Sequence, residues 1–385
     1  MKTKKIAVIF GTRPDTIKMA PIILELQKYP DCFEVINIAT AQHRQMLDQV
    51  LDVFQIKPDY DLDIMTSNQS LAGLTAKIIS GLDVILEKEK PDMVLVQGDT
   101  STTCIGSLAA FYHRIPVGHI EAGLRTNDKS NPFPEEINRR ITGCITDLHF
   151  APTALSENSL LKENIDPNTI FVTGNTVIDA LKYSVVENYI FTIEELNSIV
   201  ANRNKIVLVT MHRRENLGKP MEGAAKAIKR LAKEYPDFSF VFPVHKNPLV
   251  RDVVYPVLQR LENVTLIEPL DYLDFVNLMS KSFLILTDSG GVQEEGPHFG
   301  IPVLVLRTTT ERPDAITFGT AKLVGLEEEN IYLNAKSLMD DETKYQKMAT
   351  AINPYGDGNA AERIIKIIKN YFKLSEEFVE RFSPV

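Results

Sequence analysis

Short apolar segments recur along the chain and limit the folds that it can adopt more strongly than any other feature. Five lie in each half: Ile6–Phe10, Val35–Ala39, Met93–Gln97, Val117–Ile120, Leu148–Ala151, Ile206–Thr210, Phe238–Phe242, Val264–Ile267, Phe283–Thr287 and Val303–Leu306. Continuous apolar runs without alternation are typical of parallel strands buried on both faces. Because helical patterns separate the runs, each half is predicted to be a Rossmann-like, doubly wound α/β sheet.

The series of strands pauses across about residues 170–204 and then restarts, which indicates two domains. A chain of 385 residues is also too long for one ordinary core. We predict an N-terminal domain over 1–175, joined by a C-terminal helix at about 366–385, and a C-terminal domain over 176–365. Ligands of such sheets bind beyond the carboxyl ends of the strands, so two facing domains would hold a ligand in the cleft between them.

Charge and composition argue against several classes of protein. The net charge of −9 disfavours a nucleic-acid partner, although a few local arginines can still bind a diphosphate. Cys32, Cys104 and Cys144 are far apart and odd in number, which does not fit a disulfide framework. Because no secretory signal or membrane span is recognisable, a cytoplasmic protein without membrane contact is expected. No dinucleotide fingerprint, Walker A motif or metal-ligand spacing occurs, so no cofactor or metal is expected.

The first predicted strand runs directly into a turn that carries positive charge. Gly11 lets the backbone turn tightly, and Pro14 is suited to the first position of a helix. Arg13 and Lys18 would then lie near the start of a helix, at the carboxyl end of the strand. Such a position can bind an anion. The alternative is an ordinary turn with solvated charges.

Three acidic residues follow predicted strands of the first half or begin its helices. Asp99 and Glu121 each come directly after a strand, and Glu135 lies in the segment Asn131-Pro-Phe-Pro-Glu135. Clustered carboxylates repel one another, which raises the pKa of at least one and suits it to proton transfer. The alternatives are that Asp99 is only a helix cap and that Glu135 only stabilises a helix dipole.

The second half places cations and glycines after its strands. His212 and Arg213 follow one strand and form a candidate diphosphate clamp, and His245 follows the next strand. A solvated polar loop is the alternative. The segment Ser289-Gly-Gly291 lies between a buried strand and a helix, where free N–H groups can bind a phosphate. Glu295, one turn later, could accept hydrogen bonds from ribose hydroxyls.

Eleven motifs in this order carry a resemblance to a known family: Gly11-Thr-Arg-Pro14, Ile17-Lys-Met-Ala-Pro21, Thr40-Ala-Gln-His-Arg44, Gly98-Asp-Thr100, His119-Ile-Glu-Ala-Gly-Leu-Arg125, Pro134-Glu-Glu136, Gly174-Asn-Thr-Val-Ile-Asp179, His212-Arg-Arg-Glu-Asn216, Asp288-Ser-Gly-Gly-Val-Gln-Glu-Glu295, Thr310-Glu-Arg-Pro313 and Asn353-Pro-Tyr-Gly-Asp-Gly358. Over essentially its full length the chain resembles the bacterial non-hydrolysing UDP-N-acetylglucosamine 2-epimerases. Gln97 departs from a common histidine, and Asn68 stands where members activated by their substrate often have an arginine.

The resemblance implies the two-domain fold of GT-B glycosyltransferases, with the C-terminal domain binding UDP. It implies reversible, cofactor-free conversion of UDP-N-acetylglucosamine (UDP-GlcNAc) to UDP-N-acetylmannosamine (UDP-ManNAc), a homodimer, and a role in cell-surface polysaccharide biosynthesis. The implied catalytic residues are Asp99, Glu121, Glu135, His212 and Lys18. The implied substrate-binding residues are Arg13, Lys18, Arg213, Leu270, Phe275, Ser289, Gly290, Gly291, Glu295 and Arg312. A second, allosteric UDP-GlcNAc site would involve Gln42, His43, Gln45, Arg213 and His245.

The chemistry of the sugar favours one mechanism for this activity. The C2 hydrogen has no neighbouring carbonyl to acidify it, so direct deprotonation is implausible. Elimination of UDP across C1–C2 would give a 2-acetamidoglucal, to which UDP adds back after the proton returns on the other face. Two faces require two acid/base groups. The alternatives are a retaining UDP-sugar glycosyltransferase, a hydrolysing 2-epimerase and a catalytically silent UDP-sugar sensor.

Overall fold

The computed structural model describes residues 2–41, 44–65, 69–202, 204–213 and 216–384, with only the backbone for 44–46. The strands are β1 Lys4–Phe10, β2 Phe33–Ala39, β3 Tyr60–Asp61, β4 Met93–Gln97, β5 Val117–Ile120, β6 Leu148–Ala151, β7 Ile170–Val172, β8 Lys205–Thr210, β9 Phe238–Pro243, β10 Val264–Ile267, β11 Ser282–Thr287, β12 Val303–Val305 and β13 Ala321–Leu323.

The helices alternate with these strands along most of the chain. They are α1 Arg13–Gln27, α2 Arg44–Phe54, α3 Leu71–Glu89, α4 Ser101–Tyr112, α5 Glu135–Ile145, α6 Ala154–Lys162, α7 Thr176–Ser184, α8 Glu194–Ala201, α9 Lys219–Glu234, α10 Pro248–Leu258, α11 Tyr272–Ser280, α12 Gly290–Glu295, α13 Pro313–Phe318, α14 Glu328–Asp340, α15 Glu342–Ala349 and α16 Ala360–Tyr371. Among the described residues, no helix is both long and apolar enough to cross a membrane.

The chain forms two compact units, each with its own parallel sheet. Unit 1 comprises Met1–Tyr183 and Tyr355–Pro384, and unit 2 comprises Ser184–Pro354. The sheet of unit 1 has the strand order β3-β2-β1-β4-β5-β6-β7, and that of unit 2 has the order β10-β9-β8-β11-β12-β13. This confirms the predicted fold class of two doubly wound α/β domains.

All ten apolar segments of the sequence form strands, and β3, β7 and β13 are additional. Each additional strand has only two or three residues and lies at an edge of its sheet. An edge strand pairs on one side only, so it needs no continuous apolar run. By contrast, all five residues of the central strand β4 are buried, because helices cover both faces of the sheet.

In each sheet the direction in which successive strands are added reverses once, and the predicted site residues gather near this reversal. In unit 1 the reversal lies between β1 and β4, and in unit 2 it lies between β8 and β11. Crossover connections leave such a pair of strands on opposite faces, which opens a crevice at their carboxyl ends. The segments that follow these four strands contain most of the predicted catalytic and substrate-binding residues.

The chain passes from unit 1 to unit 2 at 183/184 and returns to unit 1 at 354/355. The predicted domain boundaries are 175/176 and 365/366. Two contacts explain why α7 and the start of α16 stay with unit 1. The backbone N–H of Asn175 donates to the Tyr355 carbonyl at 2.6 Å. The Asp179 carboxylate accepts from the N–H groups of Ala360 and Ala361 and so caps α16. The predicted C-terminal helix at about 366–385 is displaced: α16 ends at Tyr371, and the described residues after it form no helix or strand. Phe382 N–H donates to the Val172 carbonyl at the edge strand β7, so this segment packs on the sheet of unit 1.

Candidate active site

Glu121 is the centre of a buried hydrogen-bond network in unit 1. It follows β5 directly, and its Oε1 accepts from Lys18 Nζ and, at 2.9 Å, from Asn175 Nδ2. Its Oε2 accepts from Gln97 Nε2, on the neighbouring strand β4. The structure therefore brings together two predicted site residues, Lys18 and Glu121. It adds Gln97 and Asn175, which the sequence analysis did not assign to the site.

The backbone of Glu121 has a φ of +64°, in the left-handed region that residues with side chains rarely adopt. Backbone strain of this kind is of order 1–3 kcal/mol and persists only where the surroundings impose it. Here the side chain is buried and three donors hold its carboxylate. The conformation directs the carboxylate toward Gly98, where an added Cβ would lie 3.3 Å from Oε2. Glu121 therefore lies directly beside the segment that carries Asp99.

Asp99 contacts the first two turns of α5, which Glu135 begins. The Asp99 carboxylate forms an ion pair with Arg139, and its carbonyl accepts from Asn138 Nδ2 at 2.9 Å. Glu135 is half-buried at the start of the same helix. The structure thus places α5 against Asp99, and Glu121 against Gly98, the residue before Asp99.

Glu136, the second acid in the first turn of α5, holds the loop that precedes the helix. It is fully buried and accepts from the N–H groups of Thr126 and Asn127 and from Arg140 Nε, at 3.0, 3.1 and 3.2 Å. Burial opposes ionisation, but these donors and the nearby Arg139 outweigh it and lower the pKa of Glu136. Glu136 therefore fixes the loop before α5.

The turn between β1 and α1 is held by Asp15. Its carboxylate accepts from the N–H groups of Gly11, Thr12 and Thr16 at 3.1, 2.6 and 3.0 Å. Burial nevertheless raises its pKa to about 6. A Cβ at Gly11 would overlap the hydroxyl of Thr40, so only glycine fits where this turn meets the neighbouring loop. The turn places Arg13 at the first position of α1, half-buried.

His119 lies in β5, two residues before Glu121, and is almost completely buried. Its Nε2 donates to the Gly98 carbonyl at 2.7 Å, and among the described residues its Nδ1 has no hydrogen-bond partner. Burial lowers its pKa to about 3. The imidazole is therefore neutral in the folded protein at all pH values well above this.

We expect His119 to make the protein less stable as the pH falls from about 6.5 toward 3. In this range the unfolded chain binds a proton at His119 and the folded chain does not, so stability rises with pH. Between pH 7 and 5 the contribution is about 2 kcal/mol. Urea denaturation at both pH values should show a smaller loss of stability for His119→Gln, whose amide can still donate to Gly98. Equal losses in the two proteins would contradict this assignment.

In unit 2, Asp288 organises the loop after β8. It is fully buried and follows β11, the neighbouring strand. Its carboxylate accepts from the N–H groups of His212 and Arg213 at 3.0 and 2.9 Å, and from Asn216 Nδ2 at 2.9 Å. His212 Nδ1 lies 3.3 Å from Asp288 Oδ1, and the imidazole stacks on that of His245 with ring centroids 6.2 Å apart. The predicted clamp residues His212 and Arg213 therefore have fixed backbone positions.

The segment Ser289-Gly-Gly291 begins α12, as the sequence predicts for a phosphate-binding turn. Ser289 N–H donates to Thr287 Oγ1 at 3.0 Å. A Cβ at Gly290 would lie 2.7 Å from Glu311 Oε1, so the carboxylate of Glu311 lies against this glycine. A side chain at position 290 would therefore displace the Glu311 carboxylate from its present place.

Of the remaining predicted substrate-binding residues of unit 2, Arg312 and Glu295 lie at α12, and Leu270 and Phe275 lie at α11. The Arg312 guanidinium pairs with the buried carboxylate of Glu294 in α12. Glu295 ends α12, and a Cβ at Gly291 would lie 3.2 Å from its Oε1. Leu270 is buried just before α11, and Phe275 is half-buried within it.

The residues assigned to the second, allosteric site are only partly described. Gln42 and His43 lie outside the described residues, as does Asn68, and for Gln45 the backbone alone is described. His245 follows β9, and its Nδ1 accepts from Asn247 N–H at 3.1 Å. Arg213 donates to Glu311 at 3.1 Å. The second site stays a prediction.

Comparisons with known proteins show which family the chain resembles over its length. The family model described as UDP-N-acetylglucosamine 2-epimerase matches residues 25–369. The UDP-N-acetylglucosamine 2-epimerase of Bacillus subtilis is 53% identical over 383 residues, which cover 100% of both chains.

Two solved structures are similar in sequence and in fold. The UDP-GlcNAc 2-epimerase from Neisseria meningitidis, bound to UDP-GlcNAc, has a TM-score of 0.87 and 53% identity, covering 95% of this chain and 100% of its own. The structure of S. aureus MnaA with UDP has a TM-score of 0.90 and 49% identity, covering 99% of this chain and 100% of its own. Both similarities therefore extend over nearly the whole chain.

Proposed function

Because the chain belongs to the UDP-N-acetylglucosamine 2-epimerase family, we propose that it interconverts UDP-GlcNAc and UDP-ManNAc reversibly, without hydrolysis and without a redox cofactor. The observation that carries this proposal is the network in which Lys18, Gln97 and Asn175 hold the Glu121 carboxylate beside Asp99. A protein that only bound UDP-sugars would not need a strained, buried carboxylate next to a second acid. An acid/base enzyme needs this arrangement.

The reaction proceeds by elimination and re-addition. A base removes the C2 proton as the C1–O bond to UDP breaks, and the electron pair of the C–H bond forms the C1–C2 double bond of 2-acetamidoglucal. UDP then adds back to C1 while an acid delivers a proton to the opposite face of C2. No oxidant is needed, because the electron pair returns to the same carbon.

Unit 1 supplies the acid/base chemistry of this proposal. Asp99, Glu121 and Glu135 are the candidate proton carriers, and Lys18 holds Glu121 in place. Arg13, at the first position of α1, is the candidate contact to the leaving diphosphate. Fixed cations of this kind stabilise negative charge as it develops on a leaving group.

Unit 2 binds the UDP group in this proposal. The diphosphate binds at Ser289, Gly290 and Gly291 and to the arginines Arg213 and Arg312. Glu295 binds the ribose. Leu270 and Phe275 contact the uracil, and His212 contacts the sugar or the phosphates. The support is that the similar N. meningitidis and S. aureus structures contain UDP-GlcNAc and UDP.

Proton NMR of UDP-GlcNAc incubated with the pure protein in D₂O tests the proposal. We expect UDP-ManNAc to appear without any added cofactor, with deuterium at C2 in both epimers, because the returning proton comes from solvent. Release of free N-acetylmannosamine and UDP would instead indicate a hydrolysing enzyme. An unchanged spectrum with binding confirmed would indicate a sensor or, if UDP release requires an acceptor, a glycosyltransferase.

We further propose that the protein is a homodimer that uses the apolar outer face of α3, α4 and α5. These helices are neighbours in unit 1, and they expose Val84, Phe111, Tyr112, Ile137 and Ile141. Neighbouring helices that each expose large apolar side chains are a candidate interface. A second copy of the chain would remove them from water.

A further inference from the structure

Two arginines from different loops of unit 2 meet at one carboxylate. Arg213 follows β8 and Arg307 follows β12. Arg213 Nη2 donates to the Glu311 carboxylate at 3.1 Å, and Arg307 Nη1 donates to it at 2.5 Å. Each guanidinium uses a different oxygen, Oε1 for Arg213 and Oε2 for Arg307. The carboxylate therefore sets the separation of the two cations.

This pair of arginines lies at the glycine turn that begins α12. A Cβ at Gly290 would lie 2.7 Å from Glu311 Oε1 and 3.7 Å from Arg213 Nη2. The side chain of Arg213 is 32% exposed, whereas that of Arg307 is 12% exposed. Arg213 is therefore the more accessible member of the pair and the one whose guanidinium lies next to the turn.

Electrostatics explains why a carboxylate is needed here. Burial would raise the pKa of Glu311, but the charges of Arg312, Arg307 and Arg213 lower it to about 2. Glu311 is thus ionised at any working pH. Without its charge, guanidinium groups this close together would repel one another and separate.

The loop that carries Glu311 is fastened to α12 by hydrogen bonds that need no ligand. Arg312 N–H donates to Thr310 Oγ1 at 3.0 Å, and the Thr310 hydroxyl donates to Gln293 Oε1 at 2.6 Å. Gln293 Nε2 in turn donates to the Ser289 carbonyl at 3.0 Å. The position of Glu311 relative to the glycine turn is therefore set before any ligand binds.

Arg213 also retains a donor that Glu311 does not use. Its Nε is buried and has no hydrogen-bond acceptor among the residues that the structure describes. A buried donor of this kind is unfavourable unless an acceptor reaches it. An anionic oxygen at the glycine turn would supply that acceptor.

We propose that Glu311 is a positioning residue for diphosphate binding: it holds Arg213 against Arg307 so that Arg213 meets the diphosphate in one orientation at Gly290. This rests on the proposed function, which places the UDP group in unit 2. Glu311 does not contact the ligand in this proposal. It acts through the arginine, and its effect is limited to ligands that carry phosphate.

The test compares UDP with uridine, which has the same base and ribose but no phosphate. For Glu311→Gln, which keeps the shape but removes the charge, we expect the Kd for UDP to rise about ten-fold or more and the Kd for uridine to stay unchanged. Glu311→Asp keeps the charge but is too short to reach both arginines, so it should also weaken UDP binding. Calorimetry gives the Kd for UDP, and ligand-observed NMR gives the Kd for uridine.

Glu329→Gln is the matched control, because Glu329 pairs with Arg230 at 2.7 Å on the surface of unit 2. It should change neither constant. Tighter UDP binding by Glu311→Gln would overturn the proposal, since it would mean that the carboxylate only competes with phosphate. Equal weakening of UDP and uridine would also overturn it, because the role would then be structural.

If Glu311→Gln does not fold, the Kd values of Glu311→Asp for UDP and uridine are compared instead. An unchanged Kd for UDP in Glu311→Asp would overturn the proposal. A wild-type protein that fails to bind UDP would contradict the proposed function itself. A wild-type protein that binds UDP while both Glu311 variants bind it normally would contradict only the role of Glu311.

Discussion

Glu121→Gln should lower kcat by at least ~10²-fold, the lower end of what general acid–base catalysis contributes. The carboxylate accepts hydrogen bonds from Lys18, Gln97 and Asn175. A glutamine has one acceptor oxygen, and its amide would face at least one of these donors. It also cannot accept a proton from C2. The variant therefore loses both the base and the geometry that holds it.

Steady-state epimerisation and UDP binding should respond differently to this change. Because UDP is proposed to bind unit 2, its Kd in Glu121→Gln should remain near the wild-type value while turnover falls. Glu157→Gln is a suitable control, since Glu157 forms a surface ion pair with Arg381 in the same unit. Asp99→Asn and Glu135→Gln should show losses of similar size. Near-normal turnover in all three acid variants would reject the acid/base assignment.

Asp288→Ala should destabilise unit 2 by about 3 kcal/mol or more and weaken UDP binding. The substitution removes the acceptor of His212 N–H, Arg213 N–H and Asn216 Nδ2 in a fully buried place. A buried donor left without an acceptor costs about 1–3 kcal/mol, and the Asn216 amide is such a donor, while the two part-buried N–H groups add to the loss. The loop that carries His212 and Arg213 would lose its fixed position, so UDP affinity should fall together with stability.

Chemical denaturation and calorimetric titration with UDP measure both effects. Asp341→Ala is the matched control, because Asp341 is a surface cap whose carboxylate accepts from Lys344 N–H at the start of α15. Loss of one exposed cap should cost about 1 kcal/mol and leave UDP binding unchanged. Equal destabilisation by the two substitutions would show that Asp288 does not organise the loop.

The interior of each sheet was predictable because burial on both faces leaves a local record in the sequence. Met93–Gln97 and Val117–Ile120 are apolar runs, and they form β4 and β5 with the predicted bounds. The edge strands β3, β7 and β13 have only two or three residues, which is too short for a recognisable apolar run. The two points at which the chain passes from one unit to the other also lie about ten residues from the predicted ones. Their position depends on the capping of α16 by Asp179, which is a tertiary contact.

The sequence by itself determined the fold class and the edge of each sheet where polar residues gather, because apolar runs and the motifs that follow them are local. Only the tertiary structure decided how these residues are held. Glu121 depends on donors 24, 54 and 103 residues away, and Arg213 meets Glu311 across 98 residues. Such contacts depend on how strands and loops pack, so no spacing in the sequence records them.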